Sequence, residues 1–149
     1  MTGPPQIQTT VVARPSPDGW VGVALSGPPG TGKSGLALAL MGQGWRLVAD
    51  DGALIWTSGG QLWARAPEPT RGMIEARGLG ILFVPCRDIC RLALAVTLTA
   101  EEPPRLPEPT QAVWLDTALP GLTLRAHSPS APRLVALALA EALRRPVSP

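Results

Sequence analysis

The sequence predicts an α/β domain rich in strands and poor in helices, and three observations carry that expectation. Short apolar runs recur along the chain, separated by clusters of Gly, Pro, Asp and Ser, which is the pattern of strands and turns. A glycine-rich stretch, GPPGTGKS at 27–34, stands between one such run and a good helix former. Only two segments, LALALM at 36–41 and APRLVALALAEALRR at 131–145, read as helix. The chain has 149 residues, the size of one ordinary domain, with no internal repeat and no long linker, so one domain over 1–149 is expected.

In chain order, IQTTVVA (7–13) and WVGVAL (20–25) read as strands joined by RPSPDG, a turn-rich loop. The 36–41 helix ends near Gly42 and Gly44. RLVAD follows as a strand. ALIWT (53–57) and QLWAR (61–65) flank Ser58-Gly59-Gly60 as a hairpin, with Trp56 and Trp63 placed to pair across it. ILFV (81–84), LALAVTLT (92–99), AVWLD (112–116) and LTLRA (122–126) are further strands, and EEPPRLPEPT (101–110) is a proline-rich surface loop. The C-terminal helix has Ser130 as its cap and Pro132 in the first turn, where the missing N–H is tolerated.

Composition excludes several classes. A net charge of +2 gives no footprint for nucleic acid. No apolar run approaches the ~18 residues of a membrane span, and MTGPPQIQTT lacks the basic and apolar regions of a signal peptide. A cytoplasmic location and no membrane partner are the resulting expectations. Cys86 and Cys90, with no companion His or Cys pair, read as buried free thiols. The five tryptophans, without a tyrosine, read as apolar anchors more than as a base-stacking surface, and contact with a protein substrate is the other reading for Trp56 and Trp63.

The thirteen basic residues are twelve Arg and one Lys, Lys33, which lies inside Gly27-Pro28-Pro29-Gly30-Thr31-Gly32-Lys33-Ser34. This stretch fits G-x-x-x-x-G-K-[ST] in its required strand–loop–helix setting. Glycines let backbone N–H groups curl around a phosphate, and the helix N-terminus adds its dipole. Lys33 would reach the β- and γ-phosphates of a nucleotide, and the Ser34 hydroxyl would bind Mg²⁺.

The strand RLVA ends in Asp50, Asp51 and Gly52. Asp-Asp-Gly is good turn chemistry, so a plain turn is one reading. The other follows from direction. If the strands on either side of the first helix are parallel, their C-terminal ends share one sheet edge, and the acidic pair lies beside the phosphate loop. A carboxylate there can hold Mg²⁺ or accept the proton of an attacking hydroxyl.

Taken together, GPPGTGKSGLALALMGQGWRLVADD and RGMIEARGLGILFV resemble the catalytic domain of the HPr kinase/phosphorylase family, in particular the short alphaproteobacterial form that lacks the usual N-terminal domain. The resemblance covers residues 20–84. It implies a single P-loop kinase domain of the HPr kinase/phosphoenolpyruvate carboxykinase-like type, strand-rich with few helices. It implies an ATP- and Mg²⁺-dependent serine kinase acting on the phosphocarrier protein HPr, some members of the family also removing that phosphate by phosphorolysis. Carried over by position, Lys33 matches the phosphate-binding lysine, Ser34 and Glu75 the Mg²⁺ ligands, and Asp51 the acid that takes the serine proton. Asp50 is its companion, and Arg77 would stand by the phosphates. A hexamer is implied by resemblance alone.

Some positions depart from the family pattern. Gln8 stands where the family has a histidine, Gly35 where it prefers an acid, and RAHSPSAP (125–132) replaces a Pro-Gly-Arg-Asn loop. Arg105 is a match only through a loop alignment. His127, the sole histidine, reads as a surface or loop residue far downstream. The departures keep two alternatives in view: a nucleotide-binding regulatory module with little or no kinase activity, and a P-loop kinase for another acceptor.

Overall fold

The chain is laid down largely as strands, and the computed structural model describes residues 3–144. Strands β1 (Gln6–Ile7), β2 (Thr10–Ser16) and β3 (Gly19–Ser26) lead through the glycine-rich loop into helix α1 (Lys33–Met41). There follow β4 (Arg46–Ala49), β5 (Ala53–Ser58), β6 (Gln61–Arg65), β7 (Met73–Ala76) and β8 (Gly80–Phe83). The last elements are β9 (Cys90–Leu98), β10 (Thr110–Trp114), β11 (Thr117–Leu124) and helix α2 (Ala131–Arg144). The strand-rich α/β fold is therefore as expected.

One mixed sheet runs in the order β1-β5-β6-β9-β3-β2-β4, while β7 and β8 form a separate antiparallel pair. Strand β9 pairs in parallel with β3 along one side. On its other side it meets β6 near its start and β11, again in parallel, near its end. Where Gly22 faces Leu92 and Val23 faces Leu94, Ala93 is an extra residue, a bulge that bends the strand. A sheet curled in this way has two apolar faces. One packs Val12, Val23, Leu25 and Val96 under Leu36 and Leu40 of α1 and Val135 and Leu139 of α2. The other packs Val11, Ala13, Ala24, Ile55, Leu62 and Leu119 against one another. Alternation along β2, with Val12 on one face and Val11 and Ala13 on the other, is the period-two signature of a strand covered on both sides. Each fully buried leucine here stabilises the fold by about 1.5–3 kcal/mol relative to exposure.

Several boundaries differ from the sequence reading. Most of RPSPDG is ladder, not loop: Arg14, Pro15 and Ser16 pair with Val21, Trp20 and Gly19, leaving Pro17 and Asp18 as the turn. β7 was not expected, because Met-Ile-Glu-Ala is too short to show a period; its pairing with β8 supplies what the local pattern does not. AVWLD and LTLRA prove to be one hairpin, β10–β11, turning at Leu115 and Asp116 with φ of 51° and 60°. That turn uses the left-handed region without a glycine, so no residue announced it. Trp56 and Trp63 do pair across the β5–β6 hairpin. Cys90 is buried and Cys86 half-buried; both are free. Arg145 of the anticipated helix lies outside the described residues. Among those residues, no helix is long and apolar enough to cross a membrane.

Candidate functional site

Strand directions fix where the site forms. β3, β9 and β11 are mutually parallel. β4 runs the same way as β3, because both are antiparallel to β2, which lies between them. The segments leaving β3, β4, β9 and β11 therefore emerge at one edge of the sheet. The expected common edge for the glycine-rich loop and the acidic pair is present, with one strand interposed.

At this edge β3 gives way to Gly27, whose backbone approaches the end of β9 so closely that a Cβ would lie 2.7 Å from the Leu98 carbonyl oxygen. Gly30 and Gly32 take φ of +82° and +94°, a region that disfavours side chains. Helix α1 starts at Lys33 with Gly32 as its N-cap, with no side-chain cap and no acidic residue in its first turn. Its first N–H groups and the positive end of its dipole are thus left for an anion. Lys33 Nζ donates to the Gly27 carbonyl at 2.9 Å and lies 3.8 Å from Asp51 Oδ1. Thr31 Oγ1 donates to the Pro28 carbonyl at 2.7 Å, so these two loop residues engage each other and do not line the cavity.

The two carboxylates are placed very differently. Asp50 Oδ1 accepts from Ser34 Oγ at 2.8 Å and from Thr10 Oγ1 at 3.0 Å, and its Oδ2 accepts from the Glu75 N–H at 3.1 Å. Asp51 has φ of 54° and a side chain 63% exposed, reaching toward Lys33. The Thr10 hydroxyl also accepts from the Asp51 N–H at 3.1 Å, and the Gly52 N–H donates to the Thr9 carbonyl at 2.9 Å. Thr9 and Thr10 are fully buried and moor the acidic turn to β2. The sequence marks Thr9 and Thr10 only as two adjacent hydroxyls at the head of an apolar strand.

These groups surround a cavity of about 610 Å³, lined by Gly27, Pro29, Gly30, Gly32, Lys33 and Ser34, with Asp50, Asp51, Glu75 and Arg77 opposite. Glu75 and Arg77 are exposed side chains on and just beyond β7, brought to this edge by the Glu75–Asp50 contact. Gln8, in the bend between β1 and β2, lines it as well. So does His127. It is an exposed loop residue, as the sequence suggested, yet its ring lies about 3.3 Å from where a Gly32 Cβ would stand. Its separation from the motif along the chain concealed this neighbourhood. Arg105, on the proline-rich segment, lines a different cavity from Lys33.

Fold and site together define a P-loop-type α/β domain whose loop faces an acidic pair. Residues 19–89 match the family model for the HPr Serine kinase C-terminal domain. An HPr kinase/phosphorylase of Brevibacillus brevis is 37% identical over 118 residues, covering 70% of this chain and 38% of the relative. One from Clostridium beijerinckii is 48% identical over 64 residues, 43% of this chain and 21% of the relative. The chain thus belongs to the HPr kinase/phosphorylase family, and it spans well under half the length of these relatives. The solved structure of the Hpr(Ser) kinase/phosphatase from Coxiella burnetii matches it with a TM-score of 0.78 at 23% identity, covering 94% of this chain and 96% of that chain, a likeness of fold.

Proposed function

We propose that this chain forms one catalytic domain of an ATP-dependent protein serine kinase whose acceptor is an HPr-like phosphocarrier protein. The observation that carries the reading is the division of labour between Asp50 and Asp51 beside the loop. Asp50, held by three hydrogen bonds and paired with the Ser34 hydroxyl, suits a structural and metal-side role. Asp51, exposed and reaching into the cavity, suits a base.

The residues fit a magnesium nucleotide. Ser34 Oγ and Asp50 Oδ1 offer two hard oxygens 2.8 Å apart, and Mg²⁺ commonly takes one or two protein ligands and completes its shell with water and phosphate oxygens. Glu75, across the cavity, is the further candidate ligand. The bound ion would neutralise charge on the terminal phosphoryl group. Lys33 would release the Gly27 carbonyl and turn to the β- and γ-phosphates, while the uncapped N–H groups of α1 hold the β-phosphate. Asp51 accepts the proton of the acceptor serine as its oxygen bonds to the γ-phosphorus. The bond to the bridging oxygen breaks and the electron pair leaves with ADP. Arg77 balances charge on the group in transit. The protein's contribution is alignment and electrostatics, with no covalent enzyme intermediate.

The test is Asp51→Asn, which should leave ATP binding nearly intact and abolish phosphoserine formation on HPr with labelled ATP and Mg²⁺. Undiminished transfer would overturn the assignment of the base. A second reading, a nucleotide-binding regulatory module, is favoured by Gln8 and Gly35, which both line the cavity at positions of departure from the family pattern. Binding without transfer by the unaltered protein would select it. The same assay with added phosphate reads any reverse phosphorolysis, and sedimentation reads the hexamer expected by family resemblance.

A further inference from the structure

A second cavity, of about 530 Å³, opens at the same sheet edge as the phosphate loop. Its floor is the end of β11, including Leu122 and Leu124, and one wall is α2, which presents Leu134 and Leu137. These last two residues are 40% and 56% exposed and stand three positions apart, on one face of the helix. The opposite wall is the proline-rich segment, with Pro103, Pro104 and Pro107. Arg125 Nη1 donates to Glu102 Oε2 at 2.6 Å, and the Thr99 N–H donates to the Leu124 carbonyl at 2.9 Å. Both bonds tie the segment leaving β9 to the end of β11.

The segment 125–130 is the partition between this cavity and the phosphate loop. Arg125, Ser128 and Ser130 face the apolar side, and His127 faces the glycine-rich side. The partition is thin: a Cβ on Gly32 would stand 2.9 Å from Ala126 Cβ. An apolar slot of this size, with a few hydroxyls and arginines at its rim, is the usual make-up of a small-molecule site. Its position, one segment away from a polyphosphate cradle, narrows the occupant. A nucleotide seated with its phosphates on Gly27–Ser34 must send its nucleoside somewhere along this edge.

We propose that this cavity is the nucleoside subsite, in which the base packs between Leu134 and Leu137 of α2 and the prolines of the 101–109 segment. His127 then lies at the crossing from sugar to phosphate, over Gly32. This inference rests on the chain being a nucleotide-binding P-loop protein, and the experiment separates the two ideas by using a probe that has phosphates and no nucleoside.

Calorimetric titrations compare Mg²⁺-ATP with Mg²⁺-tripolyphosphate on the full chain and on Leu137→Gln and Leu134→Gln, surface changes that keep a helix-compatible side chain. ATP should bind the unaltered protein more tightly than tripolyphosphate. Each variant should weaken ATP by roughly tenfold, the loss expected from removing one apolar contact surface. Tripolyphosphate should bind the variants as it binds the parent, which also certifies their fold. If tripolyphosphate binds as tightly as ATP, or if the variants leave ATP affinity unchanged or lower both ligands equally, the nucleoside subsite is wrong while the phosphate loop stands. If tripolyphosphate does not bind the parent at all, the phosphate-loop reading fails and takes this inference with it.

Discussion

Replacing Thr10 with valine removes one hydroxyl and keeps shape, volume and strand preference. In the fold that hydroxyl has two duties: it donates to Asp50 Oδ1 at 3.0 Å and accepts from the Asp51 N–H at 3.1 Å. Thr10 is completely buried, so water has no room to take the place of its hydroxyl. A hydrogen bond to a charged group is worth about 1.5–3 kcal/mol and an orphaned N–H costs about 1–3 kcal/mol. Asp51 is exposed enough for water to recover part of the second term, which leaves a net loss of about 2–3 kcal/mol. At about 2–4 °C per kcal/mol for a chain of this size, the melting midpoint should fall by about 4–12 °C. Below that midpoint, phosphate transfer per folded molecule should fall by about tenfold to a hundredfold, because a slack turn misplaces the proposed base. Thr10→Ser restores the hydroxyl and should recover most of both losses. Thermal melts by circular dichroism, with transfer assayed at a temperature where every variant is folded, read the two effects separately. A valine variant that melts with the parent and transfers phosphate at the parental rate would refute the claim that β2 holds the acidic turn.

Two further outcomes follow from other parts of the fold. Burial pushes the Cys90 thiol up to about 12 from an ordinary value of 9.0, with Arg91 acting weakly in the opposite sense. The native thiol thus keeps its proton where the unfolded one has lost it. Its contribution to stability is complete below pH 9 and is lost as pH rises from 9 through 12. Denaturant titrations should show stability falling over that window, and a thiol reagent at neutral pH should label Cys90 only on unfolding. Gly27→Ala should cost about 2–4 kcal/mol by the same titrations, since its Cβ would press on the Leu98 carbonyl and the Thr31 hydroxyl at once.

Local chemistry made the centre of this site readable. The glycine spacing around Lys33, the helix behind it and the strand before it are all short-range features, and the parallel sense of β3 and β4 needed only the helix between them. What stayed hidden depended on pairing. The moorings at Thr9 and Thr10 exist because β2 inserts between β3 and β4, a strand order that no period in the sequence encodes. His127 reaches the loop because β11 is parallel to β9, about seventy residues beyond β3 in pairing partners such as Val21 and Arg91. Leu115 and Asp116 form their turn in a backbone region where glycine or asparagine would have been the signal.

The contact between Gly27 and Leu98 has a consequence for assembly. The glycine-rich motif is complete by Ser34, but the surface against which it folds belongs to a strand that leaves synthesis much later. An N-terminal fragment ending at Ile89 would hold every residue of the loop and of the acidic turn, yet it would lack β9, and with it the parallel ladder on one side of β3. Such a fragment has the letters of a phosphate site without the wall behind Gly27. In this chain the wall behind Gly27 comes from a strand encoded far beyond the motif, a long-range contact whose closure costs loop entropy.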